Sequence, residues 1–120
     1  MSASLAGHRV LVTAGPTFED LDPVRFLGNR SSGKMGFAIA EAAVAAGADV
    51  VLIAGPVHLS TPHGVQRIDV RSAAQMHAAV FAALPAAIYV GAAAVADFTP
   101  SGVAVSKIKK QPGQDGLTLQ

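Results

Sequence analysis

Two uninterrupted apolar runs, Val10-Leu-Val-Thr13 and Val50-Val-Leu-Ile53, place the narrowest limit on what this chain can fold into. Each is too short for a helix and lacks the alternation of a strand with one wet face. Such runs are strands covered on both sides, as in a parallel sheet layered between helices. Both end in Gly-Pro, at Gly15-Pro16 and Gly55-Pro56, so each strand stops at a turn.

Between them the pattern changes to a helical period. Residues 33–46 place Met35, Ile39, Ala43 and Ala46 on one stripe, with Ser31 or Ser32 as candidate cap and Gly47 as the stop. Val65 to Val70 alternates well enough for a third strand. Ser72-Ala-Ala-Gln75 is a capping box opening a second helix to about Leu84, and Ala87 to Val90 is a fourth strand. Residues 15–32 form a long polar, glycine-containing loop, and loops of that length are usually functional or disordered. Strands alternating with helices predict an α/β fold: a doubly wound, Rossmann-like, mostly parallel sheet with ligands beyond the strands' carboxyl ends. Leu117 to Gln120 reads as the start of another strand with nothing after it to cover its edge. The sheet is therefore expected to be truncated at the C-terminus, within a longer protein.

With 120 residues there is material for one core. Hydrophobic residues make up 51% and charged ones 14%, which argues against disorder. The net charge of +1 gives no bulk attraction to nucleic acid or anionic membrane. The chain has no cysteine, which excludes disulfides and thiolate metal sites and fits a cytoplasmic location. The uncharged stretch 78–96 approaches a membrane-spanning length, but Pro85 and Gly91 divide it, and a helix end, a turn and a buried strand account for it.

Gly28-Asn-Arg-Ser-Ser-Gly-Lys34 nearly matches a phosphate loop, but Met35 stands where a hydroxyl would bind magnesium. By itself this is an ordinary helix start, although serines and glycine there leave N–H groups free for an anion. Thr13 to Thr17 occupies the place of a dinucleotide fingerprint without its spacing. Ala54-Gly55 replaces the acidic residue expected after the second strand, which disfavours NAD. Ala92 to Asp97 follows the fourth strand with small residues and one carboxylate. Lys107-Ile-Lys-Lys110 is a basic cluster able to clamp a polyphosphate. The histidines His8, His58, His63 and His77 have no metal-ligand spacing, and His58 and His63 are expected to face solvent. Singly, each motif is explained by structure alone; together they fall at one sheet edge, as a nucleotide site would.

In this order, Val10-Leu-Val-Thr-Ala-Gly-Pro-Thr17, Leu21-Asp-Pro-Val-Arg25, Asn29-Arg-Ser-Ser-Gly-Lys-Met-Gly36, Ala93-Ala-Val-Ala-Asp97 and Lys107-Ile-Lys-Lys110 resemble the synthetase domain of bacterial phosphopantothenate–cysteine ligases. The resemblance implies a ligase that joins 4′-phosphopantothenate and L-cysteine in coenzyme A biosynthesis. CTP with Mg2+ would supply an acyl-cytidylate intermediate. It implies catalytic roles for Asn29, in the amide-forming step, and Lys107, in acyl-nucleotide formation. Gly15, Ser31, Gly33, Ala93, Asp97 and Lys107 would bind nucleotide, with Asp97 at the metal. Residues 1–8 would be a linker from a flavin-dependent decarboxylase domain, and 9–120 the nucleotide-binding front half of the ligase domain. No flavin is expected on this chain; a homodimer is expected of the complete protein.

Three departures from the family pattern stand out. Phe18-Glu19-Asp20 replaces the frequent Arg-Glu-Pro, Gly28 replaces a small polar residue, and Thr99 stands where arginine is frequent. Two other functions compete with the ligase reading. A non-catalytic nucleotide-binding or assembly module would retain the motifs without turnover. A dinucleotide-dependent oxidoreductase would bind NADH tightly.

Overall fold

A computed structural model describes residues 4–95. Its elements are β1 (Arg9–Ala14), β2 (Phe18–Asp20), β3 (Phe26–Gly28), α1 (Lys34–Ala45), β4 (Asp49–Ala54), β5 (Val65–Asp69), α2 (Ala73–Ala83) and β6 (Ile88–Gly91). The main sheet has the order β5-β4-β1-β6 and every pairing in it is parallel. Val10 lies opposite Val50 on one side and Ile88 on the other. The chain moves outward from β1 through β4 to β5, then returns to the other side of β1. The order thus reverses between β1 and β6, where open α/β sheets form their ligand crevice.

The two apolar runs are buried on both faces, as expected, because one helix covers each. Val10, Val12, Ala14, Val50, Leu52 and Ala54 point to α1 and pack with Phe37, Ala40 and Ala43. The alternate residues Leu11, Val51 and Ile53 pack with Met76 and Ala83 of α2. A one-residue slip in either strand would exchange the two cores. Leu11, Leu52 and Ile53 are fully buried, each contributing roughly 1.5–3 kcal/mol of apolar transfer.

α1 differs from its expected stripe. Met35 is 72% exposed, and the buried face is Gly36, Phe37, Ala40 and Ala43. The rotation follows from Gly36, the small residue that lets the helix approach Ala14: a Cβ there would overlap the Ala14 side chain. Neither serine is the cap; Gly33 takes that position at φ 78°. Ser31 Oγ accepts instead from the Gly33 N–H and Ser32 Oγ from the Lys34 N–H, at 3.4 and 3.3 Å. The stop is as expected. Gly47 is left-handed, its N–H donates to Val44 O, and Ala48 N–H donates to Ala43 O, closing a Schellman motif.

α2 carries the capping box as read. Ser72 Oγ accepts from Gln75 N–H, and Gln75 Oε1 accepts from Ser72 N–H and Arg71 N–H. Ser72→Ala should cost about 1 kcal/mol, measured as a lower urea midpoint with an unchanged slope.

Residues 15–32 are not a plain loop. β2 and β3 form an antiparallel hairpin inside that span. Three-residue strands carry too few positions to show a period, which is why the hairpin is invisible in the sequence. Its turn is closed by the buried Asp22, which accepts from Val24 N–H, Arg25 N–H and the Arg25 guanidinium. Phe18 and Phe26 stack at 4.3 Å between centroids. Phe18 lies opposite Gly28, where a Cβ would come within 2.5 Å of the ring. The departures at positions 18 and 28 are therefore one feature: the aromatic ring needs the glycine beneath it.

Residues 78–95 follow the expected order of helix end, turn and strand, but the strand is not buried: Ile88 and Tyr89 are 40% and 55% exposed, because among the described residues β6 is a sheet edge. α2 ends at Ala83, a turn contains Pro85, and β6 follows. Among the described residues no helix is long and apolar enough to cross a membrane.

Candidate functional site

The carboxyl ends of β1 and β6 meet directly. Pro16 bridges Ala94 in parallel register, Ala92 N–H donates to Thr13 O, and Ala94 N–H donates to Gly15 O at 2.8 Å. The Ala94 carbonyl then accepts twice: from Thr17 N–H at 3.1 Å and from Asn29 Nδ2 at 3.2 Å. Asn29, sixty-five positions away in sequence, is thereby brought to the point where strand order reverses. Donation to a carbonyl requires the amide nitrogen, so Oδ1 and the second N–H remain for a ligand. Asn29 is exposed.

Gly15 and Gly33 sit back to back beside this point. Both are left-handed, at φ 80° and 78°, a conformation that glycine adopts without penalty. A Cβ on Gly33 would lie 3.5 Å from the Gly15 backbone and 3.1 Å from Val57 Cγ1. Gly15, Gly33 and Gly36 thus reproduce in space the three tasks of a dinucleotide fingerprint: tight turn, open helix start, close helix–strand packing. Residues 16–32 are inserted between the first and second of them, which is why the linear spacing is missing.

On the β4 side of Gly15 lies an open cleft of about 310 Å³, lined by Ser31, Ser32, Lys34, Pro56, Val57, His58 and Leu59. α1 has no acidic residue in its first turn, so the positive end of its dipole is not neutralised from within. The Lys34 ammonium adds charge of the same sign at the cleft wall. Backbone N–H groups, two hydroxyls and a cation at a helix start are suited to an anion such as a phosphate. His58 lines this cleft, and both His58 and His63 are exposed as expected.

The hairpin that carries Asn29 is fastened to the start of α2. Glu19 Oε1 accepts from Ala73 N–H at 2.9 Å, and Phe18 N–H donates to Arg71 O. Arg71 pairs with Asp20 at 2.8 Å. The Arg71 hydrogen bond to Asp20 outweighs the small desolvation cost and holds the Asp20 carboxyl below the usual aspartate range. The stability it adds is complete above that range and is lost as pH falls through the lowered value. Because both partners are partly exposed, solvent screens much of it.

Of the residues expected at the site, Asn29, Gly15, Ser31 and Gly33 converge on this edge. Ala93 follows β6, but its methyl packs against the α2-side core, so it would offer backbone to a ligand. Asp97 and Lys107 lie outside the described residues, as do Thr99 and Leu117 to Gln120. Among the described residues no group of three His, Asp or Glu side chains is placed to hold a metal. The sequence reading did not single out the Ala94 carbonyl, which has no side-chain signal, nor Gly36, whose Gly33-x-x-Gly36 spacing was visible. Nor did it connect Arg71 with the hairpin.

Comparison with known proteins adds an independent line. The family model described as DNA/pantothenate metabolism flavoprotein C-terminal domain matches residues 5–120. The coenzyme A biosynthesis bifunctional protein CoaBC of Vibrio cholerae is 58% identical over 117 residues, 97% of this chain and 29% of that protein. Its namesake in Bacillus subtilis is 54% identical over 121 residues, 99% of this chain and 29% of that protein. The crystal structure of the C-terminal domain of a CoaBC protein superposes with a TM-score of 0.84 at 44% identity, covering 99% of this chain and 56% of that one. A DNA/pantothenate metabolism flavoprotein from Streptococcus pneumoniae, 24% identical, shares the fold with a TM-score of 0.80. The chain spans under a third of the length of these curated relatives.

Proposed function

The chain belongs to the family of DNA/pantothenate metabolism flavoprotein C-terminal domains, and on that premise we propose that it is the nucleotide-binding front part of a phosphopantothenate–cysteine ligase. The observation that carries the reading is the meeting of Asn29 with the Ala94 carbonyl at the β1–β6 switch point, beside the uncompensated start of α1. The parent protein would act in coenzyme A biosynthesis; the relatives' names call them bifunctional, and the second function would be that of the decarboxylase domain that the resemblance implies. A homodimer and a cytoplasmic setting belong to the same reading.

The chemistry has two steps. A carboxylate oxygen of 4′-phosphopantothenate attacks the α-phosphorus of CTP, the bond to the β-phosphate breaks, and pyrophosphate leaves. The amine of cysteine then attacks the acyl carbon, the bond to the phosphate oxygen breaks, and CMP leaves as the amide forms. Activation is required because a free carboxylate is a poor electrophile. Gly15 and Gly33, lacking side chains, would let phosphates approach the backbone at the start of α1, Ser31 would offer a hydroxyl, and Ala93 would let the nucleoside approach the backbone. The free N–H of Asn29 would hold the acyl carbonyl as its oxygen gains charge, and Lys107 would face the transferring phosphoryl group. When bound, Mg2+ would neutralise phosphate charge. One carboxylate together with phosphate oxygens and waters is a normal set for it, and Asp97 is the residue that would supply that carboxylate.

The reading is tested by titrating the chain calorimetrically with CTP and with ATP, each with Mg2+, and by assaying the complete protein. Selective heat with CTP, together with CTP-dependent formation of 4′-phosphopantothenoylcysteine, is the expected result. A complete protein that forms no such product with CTP or ATP would overturn the reading.

A further inference from the structure

Asn29 is exposed, and its hydrogen bond to Ala94 is long for an N–H···O contact, at 3.2 Å. Where it points is therefore governed by the hairpin immediately before it. That hairpin forms a two-stranded sheet of its own, with no ladder to the main sheet among the described residues. Among the described residues it is attached to the β5–α2 connection by Arg71 and by the Glu19 Oε1 bond from Ala73 N–H. The Arg71 carbonyl accepts from Phe18 N–H at 2.6 Å. Its guanidinium donates to Asp20 Oδ1 from Nη2 at 2.8 Å and from Nε at 3.2 Å. The same guanidinium lies 5.3 Å from the Phe18 ring centroid and 5.1 Å from that of Phe26. Phe18 in turn covers Gly28, the residue before Asn29. At the other end, Arg71 N–H is held by the Gln75 side chain of the α2 cap.

We propose that Arg71 is a positioning residue for Asn29: it locks the Phe18–Phe26 hairpin to the start of α2 and so sets where the asparagine amide meets the acyl group. This rests on the ligase reading above. A half-exposed ion pair and two solvent-accessible cation–π contacts add little to global stability, so the cluster is poorly explained as a stabilising device. Placement is another matter, because a misplacement of about 1 Å at a reacting group can cost as much as ~10²-fold in rate. Both strands of the hairpin touch this one side chain, so removing it loosens the hairpin's tilt, while the Phe18 N–H bond to the Arg71 carbonyl and the Glu19 bond from Ala73 N–H keep it docked.

The test is single-turnover kinetics of the complete protein with Arg71→Met, following pyrophosphate release and amide formation separately. Pyrophosphate release should stay within about twofold, while amide formation falls about tenfold or more and the acyl nucleotide accumulates. Arg71→Lys, which keeps the charge but not the paired donors, should recover part of the loss. Asp20→Asn should reproduce part of it without removing the guanidinium. Equal loss of both steps with a lower melting temperature would mean that Arg71 only supports the fold, and would overturn the proposal. Unchanged amide formation would overturn it as well. If the unmodified parent forms no acyl nucleotide, it is the ligase reading that fails. The positional claim is then decided on the chain itself by the NMR signal of the Asn29 side-chain amide. A shift or broadening in Arg71→Met supports the claim, and an unmoved signal overturns it.

Discussion

Asn29→Ala in the complete ligase is expected to slow amide formation about 10²–10³-fold, the usual cost of removing one donor aimed at developing charge. Three features separate this effect from damage to the fold. Asn29 is exposed, so its truncation opens no cavity. The Ala94 carbonyl that it contacts keeps its hydrogen bond from Thr17 N–H, so no buried acceptor is orphaned. Ala94 is also held from the other side by Gly15 O and by the bridge to Pro16. Thermal unfolding of the variant should thus match the parent, while quenched-flow analysis shows acyl nucleotide accumulating. Amide formation within about threefold of the parent would be far below the loss of a charge-stabilising donor and would remove Asn29 from the mechanism.

The second large effect is on stability and needs no ligand. Gly55→Ala should destabilise the chain by about 3 kcal/mol or more, at or beyond the upper end for overpacking. A Cβ at Gly55 would overlap the Pro16 carbonyl oxygen, with Pro16 C and N at 2.8 and 3.3 Å. These are backbone atoms, so no rotamer change relieves the clash. The pyrrolidine ring fixes φ of Pro16, and the Pro16–Ala94 bridge ties it to the β6 side. Gly55 cannot retreat either, because its N–H donates to Ala14 O at 2.9 Å. Against a total stability of roughly 5–15 kcal/mol, the loss should appear as a large fall in urea midpoint or as failure to accumulate soluble protein. A change under about 1 kcal/mol would show that the turns after β1 and β4 are not packed as described.

The same two residues show where sequence reading succeeded and where it stopped. Gly55-Pro56 was legible as the end of β4, because the signal is local. That Gly55 is there to admit the Pro16 carbonyl was not, because the two turns meet only once β1 and β4 are paired. Asn29 was named from a family resemblance, with no chemical signal of its own. Its partner is a backbone carbonyl in a run of alanines, a group for which no residue type is diagnostic.

Burial on both faces of β1 and β4, the capping box at Ser72 and the stop at Gly47 were written in neighbouring residues: apolar runs, a hydroxyl three places before an amide side chain, a glycine where φ must be positive. The doubly wound order followed from the alternation of strands and helices. Tertiary structure alone decided the rotation of α1, which Gly36 sets by pressing against Ala14. It alone made a hairpin of residues 18–28, through stacking of Phe18 on Phe26 and docking on Glu19 and Arg71. It also carried Asn29 to Ala94 and brought Gly15 to Gly33 across an insertion. The division has one physical cause. Periodicity and capping act over three or four residues and leave a mark in order and spacing, whereas packing joins groups tens of residues apart and leaves none until the sheet has formed.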